Sequence, residues 1–434
     1  MKMCSFPRSA ILLAAKTFKR SFFRTLEMAE FAVGVVIASL VLYLFRPRYH
    51  SNSGRLLIIP EFDQFGGTRT YFKTLIPFFG EQGWGSFVAL EKRQVDAEII
   101  NLCRTYDAKL IVIPRRPRWL MGRRHRLFFN ILYDIYSIVG VFIKTKPALI
   151  VVSNGTPGDY CGLFLLPCRI MYIMHTSPTS KPDRLLDYLI NSSLSPWKVI
   201  MTVSDYSKES ILKYWIHKGE KKSYVRFVHN ATNIKKMATP LRNNDQSVQS
   251  ILTIGHLVEY KNPLQWVRIA EEVIQRSPAG CVKFLWLGSG PLYEECIRTI
   301  EISKTTSIRF IGFSTNPYPY LANCDIYFQP SLRESHGLAV VEAMAFGKPC
   351  IVSNCGGLPE SVVDGCNGYV VDLNDETSII EKLLYLLGDQ ERLQRMGEQS
   401  MNLFYARFSI PVWTKKMKSE LERIFAKNTM LPRG

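Results

Sequence analysis

Residues Gln329 to Asp372 read QPSLRESHGLAVVEAMAFGKPCIVSNCGGLPESVVDGCNGYVVD. A short strand, Asp325 to Phe328, ends at Pro330 and Ser331, and a helix beginning near Gly337 stops at Gly347 and Pro349, which are ordinary helix-end signals. Inside that helix Glu342 lies among Val340, Val341, Ala343 and Met344, so its carboxylate projects from a segment that reads as buried. An unpaired buried carboxylate is expensive, and the pattern predicts a partner for it; a pair of sugar hydroxyls would serve as well as a basic side chain. Glu334 stands eight positions earlier. On one continuous helix the two carboxylates would be about 12 Å apart, so they converge on one ligand only if Glu334 sits on the loop before the helix. Ser335, His336 and Gly337 permit such a loop and leave the amides of Gly337, Leu338 and Ala339 free to face a phosphate.

This arrangement resembles the Glu-x(7)-Glu signature of retaining glycosyltransferases with the GT-B fold, in particular glycosyltransferase family 4, the group 1 type. The match continues through Gly356, Gly357, Pro359 and Glu360 and the turn from Asp364 and Gly365 through Asn367 to Gly368. The resemblance implies an α/β chain of two Rossmann-like domains facing across a cleft: residues 54–240 as the acceptor domain, 241–405 as the nucleotide-sugar donor domain, and 406–434 as a helix crossing back to the first. It covers residues 54–425.

The composition is compatible with this. A chain of 434 residues suggests two or three domains, and 47% hydrophobic content is ample for buried cores, which excludes a disordered protein. The net charge of +18 calls for an acidic partner: anionic lipid, phosphorylated substrate or nucleic acid. Ten cysteines occur without a Cys-x-x-Cys pair, so zinc spacing is absent and reduced, buried thiols are expected.

Residues 1–53 differ from the rest and read as a basic, hydrophobic membrane-anchor segment. Phe31 to Phe45 is an uninterrupted apolar run, short of the roughly 20 residues needed to cross a bilayer. Lys2, Arg8, Lys16, Lys19, Arg20 and Arg24 precede it, and the positive-inside rule would then export the C-terminal part. Because nucleotide sugars are mostly cytosolic, the run is expected to lie in the interface or span poorly, with the catalytic domains on the cytoplasmic face; a lumenal catalytic domain is the alternative.

In the first half, the strand Arg55 to Pro60 runs into a loop that reaches Gly66 and Gly67, and a helix follows from Thr68. A glycine pair after the first strand lets backbone approach a ligand; by resemblance, this loop lies beside donor phosphate and acceptor. Pro114 to Arg126, PRRPRWLMGRRHR, sets six arginines among apolar residues. Arg115, Arg116, Arg118, Trp119, Arg123, Arg124 and Arg126 suit an anionic membrane surface or a lipid phosphate, and a solvated basic loop is the plainer alternative. No recognition motif for nucleic acid accompanies the patch. Strands Leu149 to Ser153, Ile170 to Met174 and Val199 to Val203 follow, and ligands gather at such carboxyl ends. His175 directly follows the second and resembles the family histidine near the donor sugar; it could equally cap the strand. His229, Asn230, Ala231, Thr232 and Asn233 occupy the place of the family's Asn-Gly-Val-Asp turn without its glycine and aspartate.

Residues 238–250 are polar and read as the linker. The second half opens with the strand Ser250 to Ile254 and then Gly255, His256, Leu257 and, four residues on, Lys261, resembling the family's Gly-Arg-Leu-x-x-x-Lys in which arginine and lysine grip the diphosphate. Lys261 matches; His256 replaces the arginine and loses the guanidinium fork. The loop after Ile308 to Ile311, with Gly312 and Phe313, is where the resembled family seats its base. Trp413 to Phe425 reads as an amphipathic helix.

By resemblance, Glu342 would hold the ribose hydroxyls, Glu334 the donor sugar, and His175 would orient that sugar. Lys261 and the amides at Gly337 and Leu338 would stabilise the departing diphosphate. No Asp-x-Asp pair occurs, so no metal or other cofactor is expected. The implied partners are a nucleotide-sugar donor, a saccharide or lipid-linked acceptor, and a membrane surface. A nucleotide-sugar epimerase on the same fold and a non-catalytic nucleotide-sugar binder stand beside this reading, the latter motivated by His256 and the altered Asn230 turn.

Overall fold

The computed structural model describes residues 54–426 apart from 63–65, 116–132, 134, 156–159, 161–162, 164–165, 167, 183, 218, 235–247 and 304–305. Phe31 to Phe45 therefore lies outside the described residues. Among those described, no helix is long and apolar enough to cross a membrane.

The first domain alternates strands and helices: β1 (Arg55–Pro60), α1 (Gly67–Glu81), β2 (Gly85–Glu91), α2 (Ala97–Thr105), β3 (Lys109–Ile113), α3 (Gly140–Thr145), β4 (Leu149–Ser153), β5 (Arg169–Met174), α4 (Arg184–Ser193), β6 (Lys198–Thr202), α5 (Asp205–Tyr214) and β7 (Val225–Phe227). All seven strands are parallel, in the order β3-β2-β1-β4-β5-β6-β7. Such a sheet is covered on both faces, so its strands read as continuous apolar runs: all of Leu149–Ser153 is buried. Leu57, Ile150 and Tyr172 face one core, Leu56, Val151 and Met171 the other.

The second domain repeats the plan with β8 (Gln249–Ile254), α6 (Pro263–Arg276), β9 (Val282–Leu287), α7 (Tyr293–Ser303), β10 (Ile308–Gly312), α8 (Tyr318–Asn323), β11 (Ile326–Gln329), α9 (Leu338–Ala345), β12 (Cys350–Ser353), β13 (Gly368–Val371), α10 (Glu376–Leu387) and α11 (Gln390–Arg407). Its six parallel strands run β10-β9-β8-β11-β12-β13. The linker expectation is corrected at its end: Gln249 and Ser250 belong to β8, while 238–247 lie outside the described residues.

The last helix, α12 (Ile410–Phe425), returns to the first domain, and it begins three residues before the expected Trp413. Trp413, Met417, Leu421 and Ile424 sit in the same core as Leu56 and Phe72. Polar contacts reinforce that return: Arg226 pairs with Glu420 at 2.8 Å, and Arg169 Nε donates to the Ile424 carbonyl at 3.1 Å.

Candidate active site

The loop bearing Glu334 leaves β11 under tight control. The Tyr327 hydroxyl donates to Gln329 Oε1 (2.6 Å), Gln329 Nε2 donates to Ser331 Oγ (2.8 Å), and Ser353 Oγ donates to the Ser331 carbonyl (2.6 Å). Beyond Ser331 the chain lies backbone to backbone on the glycine pair. A Cβ at Gly356 would stand 1.8 Å from the Glu334 carbonyl oxygen and one at Gly357 2.2 Å from that of Ser335. Gly356 also has φ 60°. Only glycine fits there. The Gly357 amide donates to the Glu334 carbonyl at 3.1 Å, which fixes the glutamate's main chain.

Glu334 is on the loop and Glu342 is on α9, as the spacing required. Lys261, at the end of the 3₁₀ turn Glu259–Lys261 that follows β8, forms an ion pair with Glu334. The two groups assigned separately to diphosphate and sugar are thus partnered with each other. Glu342 is buried, and among the described residues none donates a hydrogen bond to its carboxylate. Burial pushes its carboxyl up to about 7. Near Tyr327, the charges of both Glu334 and Glu342 add to burial in raising the phenol. Both carboxylates therefore lie near that ring. Tyr318 also feels Glu342, and its hydroxyl meets Thr232 of the first domain.

The first domain supplies the opposite wall. Gly66 (φ 115°) ends the β1 loop, and a Cβ there would lie 3.8 Å from His256 Nε2; one at Gly67 would lie 3.9 Å from Leu338. The glycine loop thus faces the second domain's His256 and the start of α9. His175 follows β5, as read from the sequence. Its Nε2 is enclosed without a hydrogen-bond partner among the described residues, its ring packs edge to face with that of Tyr71 at 4.5 Å, and burial pushes its pKa down to about 3. The ring is neutral near pH 7. Gly337 caps α9, so the amides at Gly337, Leu338 and Ala339 stand at a helix start, where N–H groups have no intrahelical acceptor. Gly312 (φ 83°) and the exposed Phe313 close β10, two strands from β8. Of the basic patch only Arg115 is described, and it is exposed; Arg116, Arg118, Trp119, Arg123, Arg124 and Arg126 lie outside the described residues.

Carboxyl-end loops of both sheets also touch directly. Ser177 Oγ donates to Ser335 Oγ at 3.4 Å, and Ser204 Oγ donates to the Ser335 carbonyl. His229 stacks on the buried His336 with ring centres 5.0 Å apart. The sequence marked His229 and His336 only as loop positions and did not mark Tyr318 at all. Their partners lie far along the chain, where no spacing rule reaches.

Residues 238–402 match the sequence model of the family described as Glycosyl transferases group 1. The second half of the chain is similar to this family. The chain is 27% identical over 203 residues to the N-acetyl-alpha-D-glucosaminyl L-malate synthase of Bacillus anthracis, covering 46% of this chain and 51% of that protein. It is 21% identical over 357 residues to the capsular polysaccharide biosynthesis glycosyltransferase CapM of Staphylococcus aureus, 77% of this chain and 92% of that one. The chain spans about half or less of the length of the first curated relatives it matches. Among solved structures, a glycosyltransferase from Rickettsia africae superposes with a TM-score of 0.71 at 15% identity, over 87% of this chain and 100% of that one. Anabaena HepE, solved with UDP and glucose, gives 0.64 at 16%, over 85% and 99%. These likenesses show that the chain has the GT-B fold.

Proposed function

We propose that this protein is a retaining glycosyltransferase that moves a sugar from a nucleotide-diphosphate sugar to a saccharide or lipid-linked acceptor at a membrane surface. The observation that carries the reading is the Lys261–Glu334 ion pair with the buried Glu342 close to the same Tyr327, while the first domain's Gly66-Gly67 loop faces His256 and Leu338. Glu342 would take the ribose hydroxyls, which donate to the charged carboxylate and satisfy it. Glu334 would hold the sugar hydroxyls, and neutral His175 would orient the same ring. Lys261 and the α9 amides would carry the charge that grows on the diphosphate, so positive charge is available there without a metal.

In this reaction the bond from the anomeric carbon to the β-phosphate oxygen breaks, and the acceptor oxygen bonds the same face. The acceptor proton passes to the departing phosphate oxygen. The large net positive charge and the arginine run after Pro114 favour an anionic, lipid-linked or envelope acceptor met on the cytoplasmic face.

The test is a thermal-shift panel of UDP, GDP and ADP sugars on the wild type and Glu342→Gln, followed by nucleotide release with and without acceptor. Stabilisation by one nucleotide, lost in the variant, and release only with acceptor are expected. Release without acceptor, together with an altered sugar configuration, would replace transfer by epimerisation; no stabilisation by any nucleotide would overturn the donor site.

A further inference from the structure

The carboxylate of Glu360 belongs to the second domain, yet its partners belong to the first. It accepts the amide of Asp205 at 3.0 Å and that of Tyr206 at 2.7 Å, and it pairs with His229 Nε2 at 2.7 Å. Asp205 and Tyr206 open α5, where backbone N–H groups have no helical carbonyl to reach. Ser204, the N-cap of the same helix, accepts the Ser207 amide within its own domain. One helix start is therefore completed from two domains. Burial alone would push the Glu360 carboxyl up, but His229 and the two amides hold it below the usual carboxylate range.

Glu360 is also tied to the catalytic loop. It lies in the 3₁₀ turn Leu358–Glu360, directly after Gly356 and Gly357, whose backbones rest on Glu334 and Ser335. From the other side, Ser204 Oγ reaches the Ser335 carbonyl. The loop carrying Glu334 is held between Gly357 and the start of α5, and Glu360 closes that circuit.

We propose that Glu360 is a positioning residue for the transfer: by completing the first turn of α5 across the domain interface, it fixes the loop that places Glu334 against the first-domain wall of the cleft. It touches neither donor nor acceptor in this account and acts through the Ser335 and Glu334 main chain. The kinetic part rests on the transferase reading; the structural part does not.

The experiment compares wild type, Glu360→Gln and Glu360→Asp in the full chain by amide hydrogen exchange and steady-state kinetics. In Glu360→Gln, exchange at the Asp205 and Tyr206 amides should rise by about tenfold or more, because a carboxylate outside their own domain protects them. kcat should fall by about 10- to 100-fold while nucleotide affinity stays within about twofold, as expected when a reacting group is displaced and the binding site is left intact. Glu360→Asp keeps the charge and should recover part of both. Unchanged exchange, or a loss of nucleotide affinity matching the loss of kcat, would overturn the proposal. Should Glu360→Gln fail to fold, Ser204→Ala cuts the circuit from the first domain and should give the same split between kcat and nucleotide affinity. Absence of transfer by the wild type would sink the function reading, and the exchange measurement would still decide whether Glu360 holds α5.

Discussion

Lys261 and Glu334 form an ion pair within the cleft, with 14% and 18% of their side chains exposed. Removing either partner leaves the other charge without compensation in a mostly buried position. Lys261→Met and Glu334→Gln should each destabilise the protein by about 1–3 kcal/mol, less than a fully buried pair because both groups retain some solvent. The double variant should recover about 1 kcal/mol of the summed loss. Chemical denaturation of the four proteins measures this, and simple additivity would show that the two charges are not coupled.

In the proposed function, Glu342 would make nucleotide binding depend on pH. Its folded pKa of about 7 stands above its ordinary 4.5, so the folded protein binds more protons than the unfolded chain between those values. Stability from this group is complete below about 4.5 and is lost as pH rises through 7, by up to about 3 kcal/mol. Glu342→Gln should therefore stabilise the unliganded protein at pH 8 and not at pH 4. Ribose hydroxyls favour the charged form, so nucleotide affinity should rise by about tenfold from pH 6 to pH 8. Calorimetry in two buffers of different ionisation heat should detect proton release at pH 6.5, and a flat pH profile in wild type would refute the assignment.

His175 should contribute no ionisation of its own to the rate profile between pH 5 and 9, since burial holds its pKa near 3. The depressed value means that the unfolded chain takes the proton first; stability falls as pH drops below about 6.5. His175→Ala should lower kcat by about 100-fold, a figure typical for loss of one oriented hydrogen-bonding group. His175→Asn should recover part of it. A limb of the kcat profile that disappears in His175→Ala would show that the ring titrates in the working range.

Gly356→Ala tests the backbone contact beneath Glu334. Its Cβ would fall 1.8 Å from the Glu334 carbonyl oxygen, closer than any real contact, so that loop must move. A shift of about 1 Å at a reacting group can cost about 100-fold in rate. Activity should fall at least that far while Gly365→Ala, with nothing within 4 Å of its added Cβ, changes it little. Equal losses in both would mean that left-handed strain, not the contact, controls the site.

Much of this was legible in the sequence. The apolar neighbours of Glu342 foretold its burial, the eight-residue interval put Glu334 on a loop, and the strand ends located Gly66, Gly67 and His175, because burial period and turn chemistry are local properties. The pairing of Lys261 with Glu334 was not legible: the resemblance assigned each to a ligand, and their meeting depends on how β8 and β11 lie side by side. Nor was the contact of Glu360 with His229 and α5, which joins positions 131 and 155 residues apart. Glu360 stood inside the quoted motif, but nothing in a linear pattern says that a carboxylate will complete a helix in another domain.

The return of α12 into the core beside Leu56 gives the chain an unusual order of assembly. As the polypeptide leaves the ribosome, the second domain has all the residues of its sheet by Val371, whereas the first still lacks Trp413, Met417 and Ile424 from its interior. Domains commonly finish folding in the order in which they are made. Here the domain begun first is the one finished last, and its open apolar face waits, in a nascent chain, for the final helix to arrive.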